Sequence, residues 1–186
     1  MREAEWLAGI DTRAMMVHLQ TALAGPLACC TPRKLRAFSI ACLILSGHPR
    51  GKTDYNAALE TGKPVPNGRR GQRKPDASPE WAMRWASLYG EQSFPSTPDS
   101  SGRAALLRDI FGNPFRPVAV EPIWRTATVS SLGAAIYADR AFDRLPILAD
   151  ALEDAGCTNV DVLDHCRQPG DHVNGCWVVD LVLGKE

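Results

Sequence analysis

Cysteine and histidine side chains are concentrated near the C-terminal end of the chain. The five residues are Cys157, His165, Cys166, His172 and Cys176. Thiolate sulfur and imidazole nitrogen are the ligands that a tetrahedral structural zinc site uses. The residue types therefore predict a zinc site in this segment, with these five side chains as its candidate ligands.

The spacing of these residues differs from that of a zinc finger, because no CxxC pair is present. Adjacent His165 and Cys166 would project about 100° apart on a helix, so only one of them can easily bind a shared ion. The competing interpretation is that the cysteines are core residues. Cys166 falls on an apolar helical stripe and Cys176 opens an apolar run, and a free cysteine commonly packs as a small apolar side chain.

Two enzyme-like patterns are weaker. Cys176 and His172, four residues apart, could act as a nucleophile and its base, but no local signature of a cysteine enzyme surrounds them. Residues 46–53 (SGHPRGKT) resemble a phosphate-binding loop, yet Ser46 occupies the first glycine position and Pro49 removes a backbone donor. We therefore assign no catalytic or nucleotide-binding residues.

Helical periodicity is the main pattern in the elements that must position these side chains. Asp11 and Thr31 are suitable N-caps for two of the segments. We predict an all-α protein of small multi-helix domains, with mainly antiparallel helix packing. The predicted helices cover residues 3–9, 12–23, 32–45, 79–89, 103–111, 127–140, 146–155, 158–167 and 176–183.

The segments around the candidate zinc ligands carry the clearest apolar patterns. The stripe predicted to face the core in 146–155 consists of Ile147, Leu148, Ala151 and Leu152. Segment 176–183 is apolar nearly all round, so a short buried strand is the alternative to a helix. We favour a helix because the neighbouring segments are helical.

Composition divides the chain into three parts. Residues 47–78 are rich in glycine, proline and basic side chains and contain almost no large apolar residue. We interpret them as a long, irregular, flexible basic linker, with at most a weak helical turn around residues 55–59. The linker would separate an N-terminal helical segment, 1–46, from a C-terminal helical domain, 79–186.

Charge and hydropathy limit the class of protein. Residues 118–186 carry five basic and eleven acidic side chains, which disfavours nucleic acid as a partner. The apolar runs are shorter than the roughly 20 residues that span a bilayer, so we expect no membrane association. Six cysteines at uneven spacing, behind an N-terminus that lacks a signal peptide, predict reduced thiols in the cytoplasm.

The second half of the chain resembles a protein family. Residues Leu106 to Lys185 contain LLRDIFGNPFRPV, AIYADRAFDRLPILADALEDAGC and HCRQPGDHVNGCWVVDLVLGK, and the chain opens with EAEWL. These motifs are similar to those of a planctomycete family without an assigned activity. This chain departs from the family pattern at TALAGPLACC and at Asn174, where we expect arginine. The resemblance implies a shared fold module and lineage and implies no reaction.

The function expected from the sequence is that of a non-enzymatic protein-interaction or regulatory module. Helical surfaces and opposite charges are present, whereas no set of residues converges on a reaction. A structural-zinc module is the first alternative. A nucleotide-binding or thiol-dependent enzyme is the second.

Overall fold

The computed structural model describes residues 1–23, 31–45, 59–61 and 100–185. The chain divides into two compact units, Met1–Pro117 and Val118–Glu186. In the ranges described, the regular structure is helical and contains no β-strand. The prediction of an all-α protein is therefore confirmed.

The first unit contains four described helices. They are α1 (Glu3–Ala8), α2 (Thr12–Leu23), α3 (Pro32–Leu45) and α4 (Ser100–Phe111). The two N-caps predicted from the sequence are present. Asp11 accepts a hydrogen bond from the Ala14 backbone at 3.0 Å, and Thr31 accepts one from the Lys34 backbone at 3.3 Å.

Helix α4 packs against α2 and α3, within the same compact unit. Its apolar side chains are buried over a broad face that includes Ala104, Leu107 and Ile110. The sequence predicts that this helix belongs to a C-terminal domain, 79–186. The compact units divide instead after Pro117, because the apolar face of α4 is covered by helices from the N-terminal part of the chain.

Helix α1 is attached to the end of α4 by the completely buried side chain of Trp6. The Trp6 indole Nε1 donates to the Gly112 carbonyl at 3.0 Å. In the reverse direction, the Arg108 guanidinium donates to the Trp6 carbonyl at 2.8 Å and also to the Gly9 carbonyl. These bonds satisfy carbonyls at the C-terminal end of α1, which has no further turn of its own to bond them.

Replacing Arg108 with glutamine is expected to lower the free energy of unfolding by about 1.5–3 kcal/mol, the range for hydrogen bonds to charged groups. The reason is that two backbone carbonyls at a part-buried helix end lose their donor. Urea unfolding followed by circular dichroism measures the loss.

Arg116 provides the matched control for this measurement. Its side chain is 61% exposed and its Nε forms an ion pair with Glu3 at 2.7 Å. An exposed pair contributes at most about 1 kcal/mol, so Arg116→Gln should be nearly neutral. Equal losses in the two variants would contradict a specific anchoring role for Arg108.

Part of the segment 47–78, predicted as a flexible linker, is ordered. Residues 59–61 are helical, Leu59 is buried, and Glu60 forms an ion pair with Arg33 at 3.2 Å. Leu59 and Glu60 therefore both attach this turn to the protein. The remainder of the predicted linker, the predicted helix 79–89 and the loop 46–53 lie outside the described residues.

The second unit is built from four helices and two short 3₁₀ turns. The helices are α5 (Ala127–Asp139), α6 (Leu145–Asp154), α7 (Val160–Arg167) and α8 (Trp177–Leu183), and the 3₁₀ turns are Pro122–Trp124 and Phe142–Arg144. Helix α5 packs on α6 and α8, and α7 packs on α6 and α8. The last segment is a helix, as the sequence analysis favoured, and the strand alternative is excluded.

Helix α8 is fixed at its C-terminal end by Arg125, which donates to the Leu181 carbonyl at 3.0 Å. Gly184 ends the helix with a φ of 65°, a left-handed conformation that glycine adopts without strain. A Cβ atom at Gly184 would lie 3.2 Å from the Arg125 guanidinium. Glycine therefore permits both the backbone turn and the close approach of the arginine.

None of the helices in the described ranges combines the length and apolar character needed to cross a bilayer.

Candidate metal centre

Three of the five predicted zinc ligands lie on neighbouring pieces of the second unit. His165 belongs to the last turn of α7, His172 lies in the loop that follows, and Cys176 directly precedes α8. The Cys176 backbone N–H donates to the Val173 carbonyl at 2.9 Å, which turns the chain before α8. This turn brings Cys176 back toward the end of α7.

The ligand atoms of His165, His172 and Cys176 form a compact group. The distance from His165 Nε2 to Cys176 Sγ is 3.2 Å. The two imidazole rings meet edge to face, with centroids 5.0 Å apart and an interplanar angle of 79°. One ligand atom from each of the three residues lies within 4.8 Å of the other two.

These distances can be compared with those of a tetrahedral zinc site. Zinc binds nitrogen at about 2.0–2.1 Å and sulfur at about 2.3 Å, which places neighbouring ligand atoms about 3.3–3.6 Å apart. The distance of 3.2 Å between His165 Nε2 and Cys176 Sγ is slightly shorter than this separation, and in the absence of an ion it is a hydrogen-bond distance. The ligand atoms lie up to 4.8 Å apart, so they would have to approach one another by about 1 Å to bind one ion. The three residues would then supply three of the four ligands of a tetrahedral zinc, and a water molecule would supply the fourth.

The surroundings of the group suit a bound ion. Cys176 is completely buried, and His165 and His172 are partly buried. The centroid of the Trp177 ring lies 5.3 Å from that of the His165 ring, so an aromatic side chain packs beside the group. Burial of the thiol limits the access of water to it and strengthens the attraction between a cation and a thiolate.

Cys157 and Cys166 do not join this group within the part of the chain that the structure describes. Both are buried in the core of the second unit, where Cys166 packs with Val162 and Leu163. Burial raises the pKa of the Cys157 thiol, which disfavours the thiolate that a metal needs. The environment of Cys157 and Cys166 is therefore that of core residues.

The partner of the Cys176 thiol differs from the one in the nucleophile-and-base hypothesis. Its neighbour at 3.2 Å is His165, eleven residues away, whereas that hypothesis paired it with His172. A pair that closes across a loop leaves no local pattern in the sequence. The complete burial of Cys176 is also a poor position for a nucleophile that must reach a substrate.

Comparisons of the chain with protein-family models, with curated proteins and with solved structures gave no match. Within the second unit, the group formed by His165, His172 and Cys176 is an arrangement that could hold a metal ion.

Proposed function

We propose that this protein is a non-enzymatic, zinc-binding helical module in which His165, His172 and Cys176 are the protein ligands. The observation that carries the proposal is the convergence of one thiol and two imidazoles to within 4.8 Å. These residues come from a helix, a loop and the start of another helix. An ion held by all three would connect α7 to α8.

The donor set favours zinc over the hard cations. Magnesium and calcium bind oxygen ligands, whereas thiolate and imidazole suit zinc and, among first-row metals, also copper and cobalt. Zinc has no redox chemistry and accepts a tetrahedral arrangement of nitrogen and sulfur. Its role here would be to hold the polypeptide in place, because its ligands come from the end of α7, the following loop and the residue before α8.

A reducing compartment is part of the proposal. Among the described residues, Cys42, Cys157, Cys166 and Cys176 are not joined by disulfide bonds. The cytoplasm keeps thiols reduced, which leaves Cys176 available as a ligand. Interaction with a protein partner and kinship with the planctomycete family remain predictions from the sequence.

Elemental analysis of the purified full chain tests the proposal. We expect about one zinc per chain, retained on gel filtration, and loss of that zinc in both His172→Ala and Cys176→Ser. Cys166→Ala is the matched control, since it removes a neighbouring thiol outside the group and should keep its zinc. Wild-type protein without metal after growth and purification with zinc would overturn the proposal.

A further inference from the structure

The proposed ligands enclose a short piece of chain. His165 lies before it, His172 lies within it and Cys176 lies directly after it, so the enclosed residues 168–175 connect α7 to α8. We call residues 168–175 the strap. A single ion bound to all three ligands would close two small loops in the backbone, and closing a loop restricts the conformations of every residue inside it.

The first half of the strap is poorly supported by packing. Residues 168–171 are all exposed to solvent. A Cβ atom built on Gly170 would meet no other atom within 4 Å. Segments with few buried contacts open at low free energy, so a bound ion would be a major restraint on this part of the chain.

The chain on the N-terminal side of the strap is attached independently of the proposed ligands. Arg167 forms ion pairs with Asp150, at 3.0 Å, and with Glu153, which fix the end of α7 to α6. The buried side chains of Val162, Leu163 and Cys166 hold α7 in the core, and the exposed ion pairs of Arg167 add to this attachment even when no ligand side chain is engaged.

The chain on the C-terminal side is held by the hydrophobic core. Val178, Val179 and Val182 of α8 are buried there, and Arg125 bonds the far end of the helix through the Leu181 carbonyl. Hydrophobic packing and the hydrogen bond from Arg125 therefore hold α8 in place without a metal ion.

We propose that metal occupancy switches the strap between a clamped and an open state while α7 and α8 stay in place. The inference rests on the proposed function, because it needs the ion at His165, His172 and Cys176. It adds a regulatory property, since metal binding changes the exposure of one surface segment and leaves the fold intact. The unit would then respond reversibly to the concentration of zinc.

Hydrogen–deuterium exchange of the full chain, read by mass spectrometry, tests this inference with zinc itself as the probe. In metal-free protein we expect fast exchange across 168–171, the exposed part of the strap, and slow exchange across 178–183. Zinc at 100 times its Kd should slow the strap amides by about 100-fold, because the open state forms only from the zinc-free fraction. In Cys176→Ser, zinc should change neither segment.

The outcomes separate the two proposals. If zinc is bound by elemental analysis but strap exchange is unchanged, the switch is wrong and the metal site stands. If 178–183 exchange as fast as the strap in metal-free protein, the metal is needed for the helix, and the switch is again wrong. If no zinc binds, the proposed function fails, and the switch fails with it.

Discussion

Removal of the metal by a chelator is expected to lower the thermal unfolding midpoint of residues 118–186 by roughly 10–20 °C. Zinc that binds only the folded unit stabilises it by about 2.7 kcal/mol when the free ion is at 100 times its Kd. In a domain of this size, each kcal/mol shifts the midpoint by about 4–8 °C. Calorimetry of the full chain with and without chelator measures the shift, and added zinc should restore it.

Variants at the metal group locate the origin of this shift. His172→Ala and Cys176→Ser should melt at a temperature that neither chelator nor zinc changes. Cys166→Ala should melt at a lower temperature, because it leaves a small cavity in the core, yet it should respond to zinc as the wild type does. A response to zinc that persists in Cys176→Ser would place the ion elsewhere.

Leu148→Ala is expected to lower the free energy of unfolding of the second unit by about 2–5 kcal/mol. Leu148 is completely buried in the core of that unit, next to Leu145, Ala149 and Leu152 of the same helix. The substitution removes apolar contacts and leaves a cavity that the surrounding side chains fill only in part. Chemical unfolding followed by circular dichroism gives the loss directly.

Ile147, whose side chain is an isomer of the leucine side chain, lies at the neighbouring position and supplies the control. It is 54% exposed on α6, so Ile147→Ala should change the stability by about 0.5 kcal/mol or less. A large loss at Ile147 together with a small loss at Leu148 would mean that α6 presents its other face to the core.

The fold class and the bounds of most helices could be predicted because local rules determine them. Asp11 and Thr31 cap α2 and α3, and α8 is a helix, as their sequence patterns indicate. The inward face of α6 could be predicted only in part. The sequence pattern placed Ile147 and Leu148 on one stripe, whereas only Leu148 is buried. Apolar periodicity does not distinguish a residue within the buried stripe from an apolar residue at its edge.

Long-range partners were the part that sequence patterns could not supply. The broad apolar face of α4 indicates burial, but nothing in its sequence says that α2 and α3 cover it. The same limit applies to the metal group, where His165 and Cys176 meet only because a turn at Val173 reverses the chain. Cys166 was included among the candidates by residue type, and its position on α7 directs it into the core.

The central claim, a thiolate and two imidazoles on one ion, is tested most directly by replacing zinc with cobalt(II) in the full chain and recording the visible and near-ultraviolet spectrum. We predict intense d–d bands of a tetrahedral ion together with a thiolate-to-cobalt charge-transfer band. The charge-transfer band should be absent in Cys176→Ser and retained in Cys166→Ala. A weak, octahedral spectrum without charge transfer in the wild type would contradict the assignment of Cys176, His165 and His172 as ligands.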